Sequence, residues 1–385
     1  MRHRNTYGAF LLSMKEKVVV GMSGGVDSSV AAYLLKEQGY EVIGVTMQIW
    51  QDQDVFEQAE EGGCCGLSAV DDARRVAQVL GIPHYVMNFK ADFKHSVIDY
   101  FISEYERGYT PNPCIACNRY VKWESLLQRS LEIGASYIAT GHYARIEQLP
   151  NGRFSIRNSV TAAKDQTYAL YNLTQSQLSH TLMPVGAYEK SIIREIAKEA
   201  GLPVAHKQDS QDICFVPDHD YAGFIARETQ KESAPGSFVD EEGRILGNHK
   251  GIIHYTIGQR KGLGITAETP LFVKELRMDT NEVVLCKSES LFSNTCYVSN
   301  INYMAVEGLE GVTEAIGKVR YSHKGASCKI EALENGMLKC TFDEPQRAMT
   351  PGQAAVFYEG DHILCGGTIE KMLPVDNCVS QTHKS

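Results

Sequence analysis

Long apolar segments are missing from this chain of 385 residues, in which no stretch of about 18 residues runs without polar interruption. This absence excludes a membrane-spanning helix. The first thirteen residues, MRHRNTYGAFLLS, also lack a full hydrophobic region and a small-residue cleavage site, so they do not predict a signal peptide. We therefore expect a cytoplasmic protein whose eleven cysteines are cytosolic thiols.

Basic charge is also scarce, since 38 lysines and arginines face 47 acidic residues and the net charge is −9. This balance argues against a protein that coats nucleic acid without selection, but it leaves room for local phosphate-binding surfaces. Residues 243–267 and 318–329 form two basic strips that contain no acidic residue. Ordinary solvated strand faces are the alternative interpretation of both strips.

Internal repeats and low-complexity linkers are absent as well. The length of 385 residues predicts two or three globular domains. Residues 17–138 alternate β-branched runs with helical spacing, which predicts a parallel sheet covered by helices on both faces. The last helix predicted in this region spans Trp123–Ile133. From Gly236 onward the segments are short and β-rich, and those between Thr295 and Glu370 predict a small barrel or sandwich.

The first predicted strand is joined to the first predicted helix by a glycine-rich loop, GMSGGVDSS (21–29). The glycines let the backbone approach a phosphate, and the serines and the helix N-terminus supply donors for negative charge. The loop matches neither G-x-x-x-x-G-K-[ST] nor G-x-G-x-x-G. S-G-G-x-D-S instead resembles the pyrophosphate loop of enzymes that split ATP into AMP and pyrophosphate. A Ser/Asp helix cap on a glycine turn is the alternative.

Three cysteines lie in segments that suit chemistry. Cys114 and Cys117 form a C-x-x-C pattern in TPNPCIACNR (110–119), where two prolines favour a rigid, extended segment between two helices. Cys117 lies near a helix start, where the dipole can lower a thiol pKa. Cys214 lies in QDSQDICF (208–215), a polar stretch that fits a loop reaching the site. C-x-x-C alone leaves redox, zinc and iron–sulfur roles open, although no second nearby pair completes a structural zinc site.

Eight segments then identify a family by their order along the chain: GMSGGVDSS, TPNPCIACN, ATGHYA, KDQTYAL, QDSQDICF, HYTIGQRKGLGI, RYSHKG and TPGQAAVFY. Together they closely resemble the bacterial tRNA-specific 2-thiouridylase family, from about residue 17 to residue 370. The resemblance implies an α/β fold with a Rossmann-like parallel-sheet catalytic domain, a small central domain and a C-terminal β-barrel. The predicted bounds are 1–13 for an N-terminal extension, 14–223 for the ATP-binding catalytic domain, 224–292 for the central domain, 293–372 for the barrel and 373–385 for a tail.

The resemblance also implies roles for individual residues. Cys117 would be the nucleophile, and Cys214 would carry the sulfur as a persulfide. ATP, with Mg²⁺ expected beside it, would be bound by Gly21, Met22, Ser23, Gly24, Gly25, Val26, Asp27, Ser28, Met47 and Gly141. The target base would touch Asn112, Pro113 and Cys114, and other parts of the tRNA would touch His142, Lys164, Asp165, Gln166, Arg320, Tyr321 and Gln353. No protein-held metal is predicted.

The implied activity is that of an AMP-forming tRNA-uridine 2-sulfurtransferase. ATP would adenylate the wobble uridine, and persulfide sulfur would reach carbon 2 to give 2-thiouridine, AMP and pyrophosphate. The expected partners are the Lys, Glu and Gln tRNAs and a sulfur-relay or cysteine desulfurase protein, with no membrane involved.

Cys114 departs from the family pattern, because many members have Asp at this position. An iron–sulfur cluster on Cys114, Cys117 and Cys214 is therefore an alternative to the persulfide route. We favour the persulfide, which needs only two cysteines. Two further alternatives are an adenylating synthetase that acts on a small acid or another nucleobase, and a non-enzymatic metal or redox module. The former leaves the separated cysteines unexplained, and the latter leaves the glycine-rich loop unexplained.

Overall fold

A computed structural model describes residues 15–49, 67–208, 213–216 and 218–370. The predicted N-terminal extension (1–13) and tail (373–385) lie outside the described residues. The described part of the chain forms three sheets: one in the first region, one in the central region, and one that joins the last region to a hairpin of the first. None of its helices is long and apolar enough to cross a membrane.

The first region alternates strands and helices, as the sequence predicts. Its first elements are β1 (Lys17–Gly21), α1 (Val26–Glu37), β2 (Glu41–Gln48), α2 (Leu67–Leu80), β3 (His84–Asn88), α3 (Lys90–Phe93), a π-helical segment (Lys94–Asp99), α4 (Tyr100–Glu106), α5 (Pro113–Ala116), a second π-helical segment (Cys117–Leu126), α6 (Leu127–Glu132) and β4 (Tyr137–Ala139). A hairpin and further short elements follow: β5 (Ala144–Gln148), β6 (Phe154–Asn158), α7 (Gln175–Ser179), β7 (Thr181–Leu182), α8 (Lys190–Glu199) and 3₁₀ turns at Ala162–Lys164, Thr167–Leu170 and Pro184–Ala187.

Five of these strands form a parallel sheet in the order β3-β2-β1-β4-β7, which confirms the predicted architecture. The central strand β1 shows why the sheet is covered on both sides. Val18 and Val20 pack into one core cluster and Val19 into another, because successive side chains of a strand point to opposite faces. Because both faces of the sheet are covered, a ligand can reach it at the loops that follow the carboxyl ends of the strands.

The helix that begins at Pro113 corrects the sequence prediction, which left residues 110–119 extended and began the helix at Trp123. Proline suits the first helical position because no hydrogen bond is lost there. Asn112 caps this start, since its Oδ1 accepts from the Cys114 backbone N–H at 3.1 Å. Cys117 thus lies one turn inside a helical stretch and near its start.

The central region carries a small mixed sheet with the strand order β10-β11-β8-β9. A core around Phe238, Val273 and Val283 holds it together. Its elements are α9 (Tyr221–Thr229), β8 (Gly236–Val239), β9 (Ile245–His249), β10 (Phe272–Arg277), β11 (Glu282–Cys286) and 3₁₀ turns at Ile252–His254 and Ser288–Leu291.

The last region is a closed antiparallel barrel, as expected. Its strands are β12 (Phe292–Tyr303), β13 (Val312–Lys318), β14 (Ala326–Ala332), β15 (Leu338–Arg347), β16 (Ala354–Glu359) and β17 (His362–Ile369). Six strands close in the order β12-β15-β14-β13-β16-β17, because β12 pairs with both β15 and β17. The β5–β6 hairpin of the first region joins β17 through His362 and Arg157, so the barrel is attached directly to the first region.

Candidate functional site

The glycine-rich loop connects β1 to α1 at the carboxyl edge of the parallel sheet. Gly24 has a φ of +67°, a conformation that favours glycine, and Gly25 is the N-cap of α1 without a side-chain cap. Hydrogen bonds within the loop hold its shape. The Ser23 N–H donates to Ser28 Oγ at 3.2 Å, and Ser29 Oγ donates to the Gly25 carbonyl at 2.7 Å. The first N–H groups of α1 therefore lie beside a tight glycine turn, the arrangement that binds phosphate.

Gly141 follows β4 and lies against the start of α1. A Cβ at this position would come within 2.5 Å of the Ser28 nitrogen, so glycine is what lets the two backbones approach. The side chains of Met22 and Val26 are buried in the core, so only their backbone groups face the loop. Met47 lies near the end of β2 and packs, half-buried, against the other core cluster.

Asp27 is held by two residues that the sequence analysis did not select. Tyr143 donates its hydroxyl hydrogen to Asp27 Oδ1 at 2.7 Å, and Lys190 Nζ lies 2.7 Å from Oδ1 and 2.9 Å from Oδ2. Lys190 also lies over the Tyr143 ring. No motif signals this contact, because 163 sequence positions separate Lys190 from Asp27. The two residues orient the Asp27 carboxylate at the glycine-rich loop.

The three candidate cysteines differ in their surroundings. Cys114 is exposed in the first turn of α5, whereas Cys117 and Cys214 are half-buried and pack against the same core cluster. Within the described ranges, no three or more His, Cys, Asp and Glu residues are arranged to hold a metal ion. Cys117 and Cys214 thus share one core cluster.

The barrel places Tyr321 beside the start of α5. Burial raises the Tyr321 pKa, and the neighbouring charges of Asp165 and Cys114 raise it further. The Tyr321 hydroxyl donates to the Asp165 carbonyl at 3.4 Å, and its ring lies edge-on to Tyr168 at 6.1 Å. Three residues expected at the tRNA interface, from three distant parts of the chain, thus lie together.

The remaining residues of the predicted tRNA interface mostly bond to the protein itself. Asp165 Oδ2 accepts from the Ser159 N–H at 2.8 Å, which closes the turn between these two residues. Gln166 Oε1 accepts from the Tyr143 N–H at 2.9 Å. Gln353 Nε2 donates to the Thr110 carbonyl at 2.6 Å, and Arg320 donates to the Arg347 carbonyl at 3.0 Å. Lys164 lies half-buried in its 3₁₀ turn.

His142 lies next to Gly141 but is packed into the protein. Its Nδ1 is 2.6 Å from Thr140 Oγ1, and its ring lies 5.4 Å from that of Trp123. Burial lowers the His142 pKa well below the usual value, and the charge of Lys122 lowers it further. The imidazole is therefore neutral at physiological pH.

The first basic strip is less basic than its sequence predicts. Arg244 pairs with Asp240 and Glu242, two acidic residues just before the strip, at 2.6 and 3.0 Å. Lys250, Arg260 and Lys261 are exposed. The second strip surrounds Arg320 and Tyr321, close to the start of α5.

The fold and the loop define a protein of the HUP-domain class with two β-rich regions attached. Residues 16–218 match the family described as "tRNA methyl transferase HUP domain", residues 222–287 its "PRC-barrel domain", and residues 293–369 the "Aminomethyltransferase beta-barrel domain". The chain belongs to the tRNA-specific 2-thiouridylase family, as its curated relatives show.

Two of these relatives carry the name "tRNA-specific 2-thiouridylase MnmA". The protein from Lachnoclostridium phytofermentans is 65% identical over 356 residues, which cover 92% of this chain and 100% of the relative. The protein from Clostridium perfringens is 56% identical over 359 residues, or 93% of this chain and 99% of the relative. The family resemblance stated from the sequence is confirmed.

Proposed function

We propose that this protein converts the wobble uridine of tRNA to 2-thiouridine in an ATP-dependent, AMP-forming reaction. One observation carries the proposal: a pyrophosphate-type loop with an oriented Asp27 lies in the same domain as Cys117 and Cys214, which share one core cluster. The printed name of the family's members supports tRNA and 2-thiouridine as substrate and product. A tRNA substrate also supports a cytoplasmic location.

The first step activates carbon 2 of the uracil. The O2 atom attacks the α-phosphorus of ATP, a new O–P bond forms, pyrophosphate leaves and N3 gives up its proton. ATP would enter as its Mg²⁺ complex, with the phosphate chain over the loop and the base near Met47. The backbone N–H groups of the loop and the positive N-terminus of α1 stabilise the charge that develops on the leaving pyrophosphate.

The second step transfers sulfur. The terminal sulfur of a Cys214 persulfide attacks carbon 2, and AMP leaves with the original oxygen. The Cys117 thiolate attacks the inner sulfur of Cys214, so the persulfide bond breaks and its electron pair stays on the transferred sulfur. N3 regains its proton, and a Cys117–Cys214 disulfide remains. A dithiol reductant returns both thiols, and a persulfide donor protein reloads Cys214.

The tRNA would approach across the start of α5 and the adjoining barrel. Asn112, Pro113 and Cys114 lie there beside Tyr321, and Gln353 lies against Thr110. Chemistry on a base requires that the nucleotide leave its stack and enter a pocket. Because Tyr321 is half exposed and aromatic, we assign it the role of stacking on the extruded nucleotide.

A reconstituted reaction tests the proposed function. Purified protein, wobble-uridine tRNA transcript, MgATP, a persulfide donor and a dithiol are combined. We expect 2-thiouridine by mass analysis of the nucleosides, with one AMP and one pyrophosphate released per thiolated tRNA. A transcript with cytidine at the wobble position is the control. Release of AMP without any thiolated nucleoside would instead support the adenylating synthetase.

Arg320→Ala and Lys261→Ala test the two basic strips. Each substitution should weaken tRNA binding and lower the slope of its salt dependence by about one per lost phosphate contact, with ATP affinity unchanged. Filter binding at several salt concentrations measures the slope. Lys198→Ala, an exposed lysine on α8 outside both strips, is the matched control. An unchanged slope in both variants would mean that the strips are solvated faces and that tRNA binds elsewhere.

Cys114→Asp distinguishes the two sulfur routes. On the persulfide route the variant should keep activity within about threefold of the wild type, because Cys114 only contacts the base. Protein purified without oxygen should contain no stoichiometric iron. About four irons per chain, with activity that follows iron content and is lost in Cys114→Asp, would reverse our preference.

A further inference from the structure

Lys207, which is not part of the glycine-rich loop, contacts that loop at Gly24. Its Nζ lies 3.2 Å from the Gly24 carbonyl oxygen and 2.7 Å from Asp72 Oδ2 on α2. The same lysine is fixed at its backbone, because its N–H donates to the Val204 carbonyl at 2.9 Å and its carbonyl accepts from Arg194 at 3.2 Å. One ammonium group thus joins the loop, α2 and the segment after α8.

The Gly24 carbonyl belongs to the same peptide unit as the Gly25 N–H. In a trans peptide these two groups point in opposite directions, so a cation that holds the carbonyl on one side directs the N–H to the other. Gly25 is the N-cap of α1, where the N–H groups would face a phosphate. Glycine at positions 24 and 25 makes this peptide easy to rotate, so its orientation needs support from outside the loop.

Gly24 is closely packed on its outer side, so few other groups can reach its carbonyl oxygen. A Cβ on Gly24 would come within 2.3 Å of the Ala69 carbonyl oxygen, so the outer side of the loop lies directly on the start of α2. Asp72 follows Ala69 by one helical turn and holds the Lys207 ammonium in place. The side chain of Asp72 is only 15% exposed, which keeps this ion pair partly screened from water.

We infer that Lys207 is a positioning residue of the phosphate site, which orients the Gly24–Gly25 peptide so that its N–H faces the β,γ-phosphates of ATP. This inference rests on the proposed ATP site and assigns it a residue outside the glycine-rich loop. On this inference Lys207 acts through the Gly24–Gly25 peptide and not by contact with a substrate. Its effect is therefore confined to ligands that place a pyrophosphate group on the loop.

Calorimetric titration of the full-length Lys207→Met variant tests the inference. We expect MgATP and inorganic pyrophosphate to bind about tenfold more weakly than to the wild type, the effect of one lost charge-assisted hydrogen bond. The affinity for AMP, which carries no β,γ-phosphates, should stay within about twofold. A general loss of structure would weaken all three ligands alike. Lys207→Arg should restore binding of ATP and pyrophosphate.

Arg75→Met is the matched control, because Arg75 also pairs with Asp72 but does not touch Gly24. If Lys207→Met fails to fold, Lys207→Gln replaces it. If Lys207→Met or Lys207→Gln binds pyrophosphate as tightly as the wild type does, the inference about Lys207 is overturned and the proposed activity is not affected. A wild-type protein that binds MgATP and pyrophosphate but makes no 2-thiouridine would overturn the proposed activity and leave the role of Lys207 intact.

Discussion

Cys117→Ser and Cys214→Ser should each lower the yield of 2-thiouridine by at least about a thousandfold. A serine hydroxyl cannot carry a persulfide sulfur, and it is far too weakly acidic to attack one at neutral pH. Both residues are half-buried against one core cluster, where the exchange of SH for OH is a small change in volume. Single-turnover thiolation of tRNA, followed by nucleoside mass analysis, measures the loss.

The separate effects of the two substitutions also test their roles. Adenylation of tRNA, measured as pyrophosphate release, should survive in both variants because neither thiol takes part in that step. The control is Cys286→Ala, since burial raises the pKa of the Cys286 thiol to about 11 and leaves it unreactive in the central sheet. A serine variant that keeps more than about a hundredth of the wild-type rate would contradict the assigned role.

Asp27→Asn should reduce pyrophosphate release, and thiolation with it, by at least about a hundredfold. The amide still accepts from Tyr143, but it loses the charge that holds Lys190 and that a Mg²⁺–ATP complex would meet. Asparagine is nearly the same size, so the fold should be retained, as the thermal unfolding midpoint can show. Asp361→Asn is the control, because Asp361 is also ion-paired, with Arg157, and lies in the barrel. Retention of more than about a tenth of the rate would exclude Asp27 from the chemistry.

The α/β half could be predicted because its signals are local. β1 is a run of β-branched residues, and α1 and α2 show helical spacing. The sequence pattern predicts them at 17–22, 28–37 and 69–80, within two residues of the observed bounds. The helix start at Pro113 is not predicted from the sequence, because proline is compatible with two local structures. It favours extended backbone for the residue before it, and it also favours the first helical position. Only the cap from Asn112 distinguishes them here.

The sequence by itself determined the family, the glycine-rich loop and the pairing of that loop with remote cysteines, because each depends on short segments in a fixed order. Tertiary structure alone decided what supports those segments. Asp27 meets Lys190 across 163 positions, Gly24 meets Lys207 across 183, and Asp165 meets Tyr321 across 156. Such contacts leave no periodicity in the chain, since they form only when the sheet and the closed barrel bring distant loops to one edge.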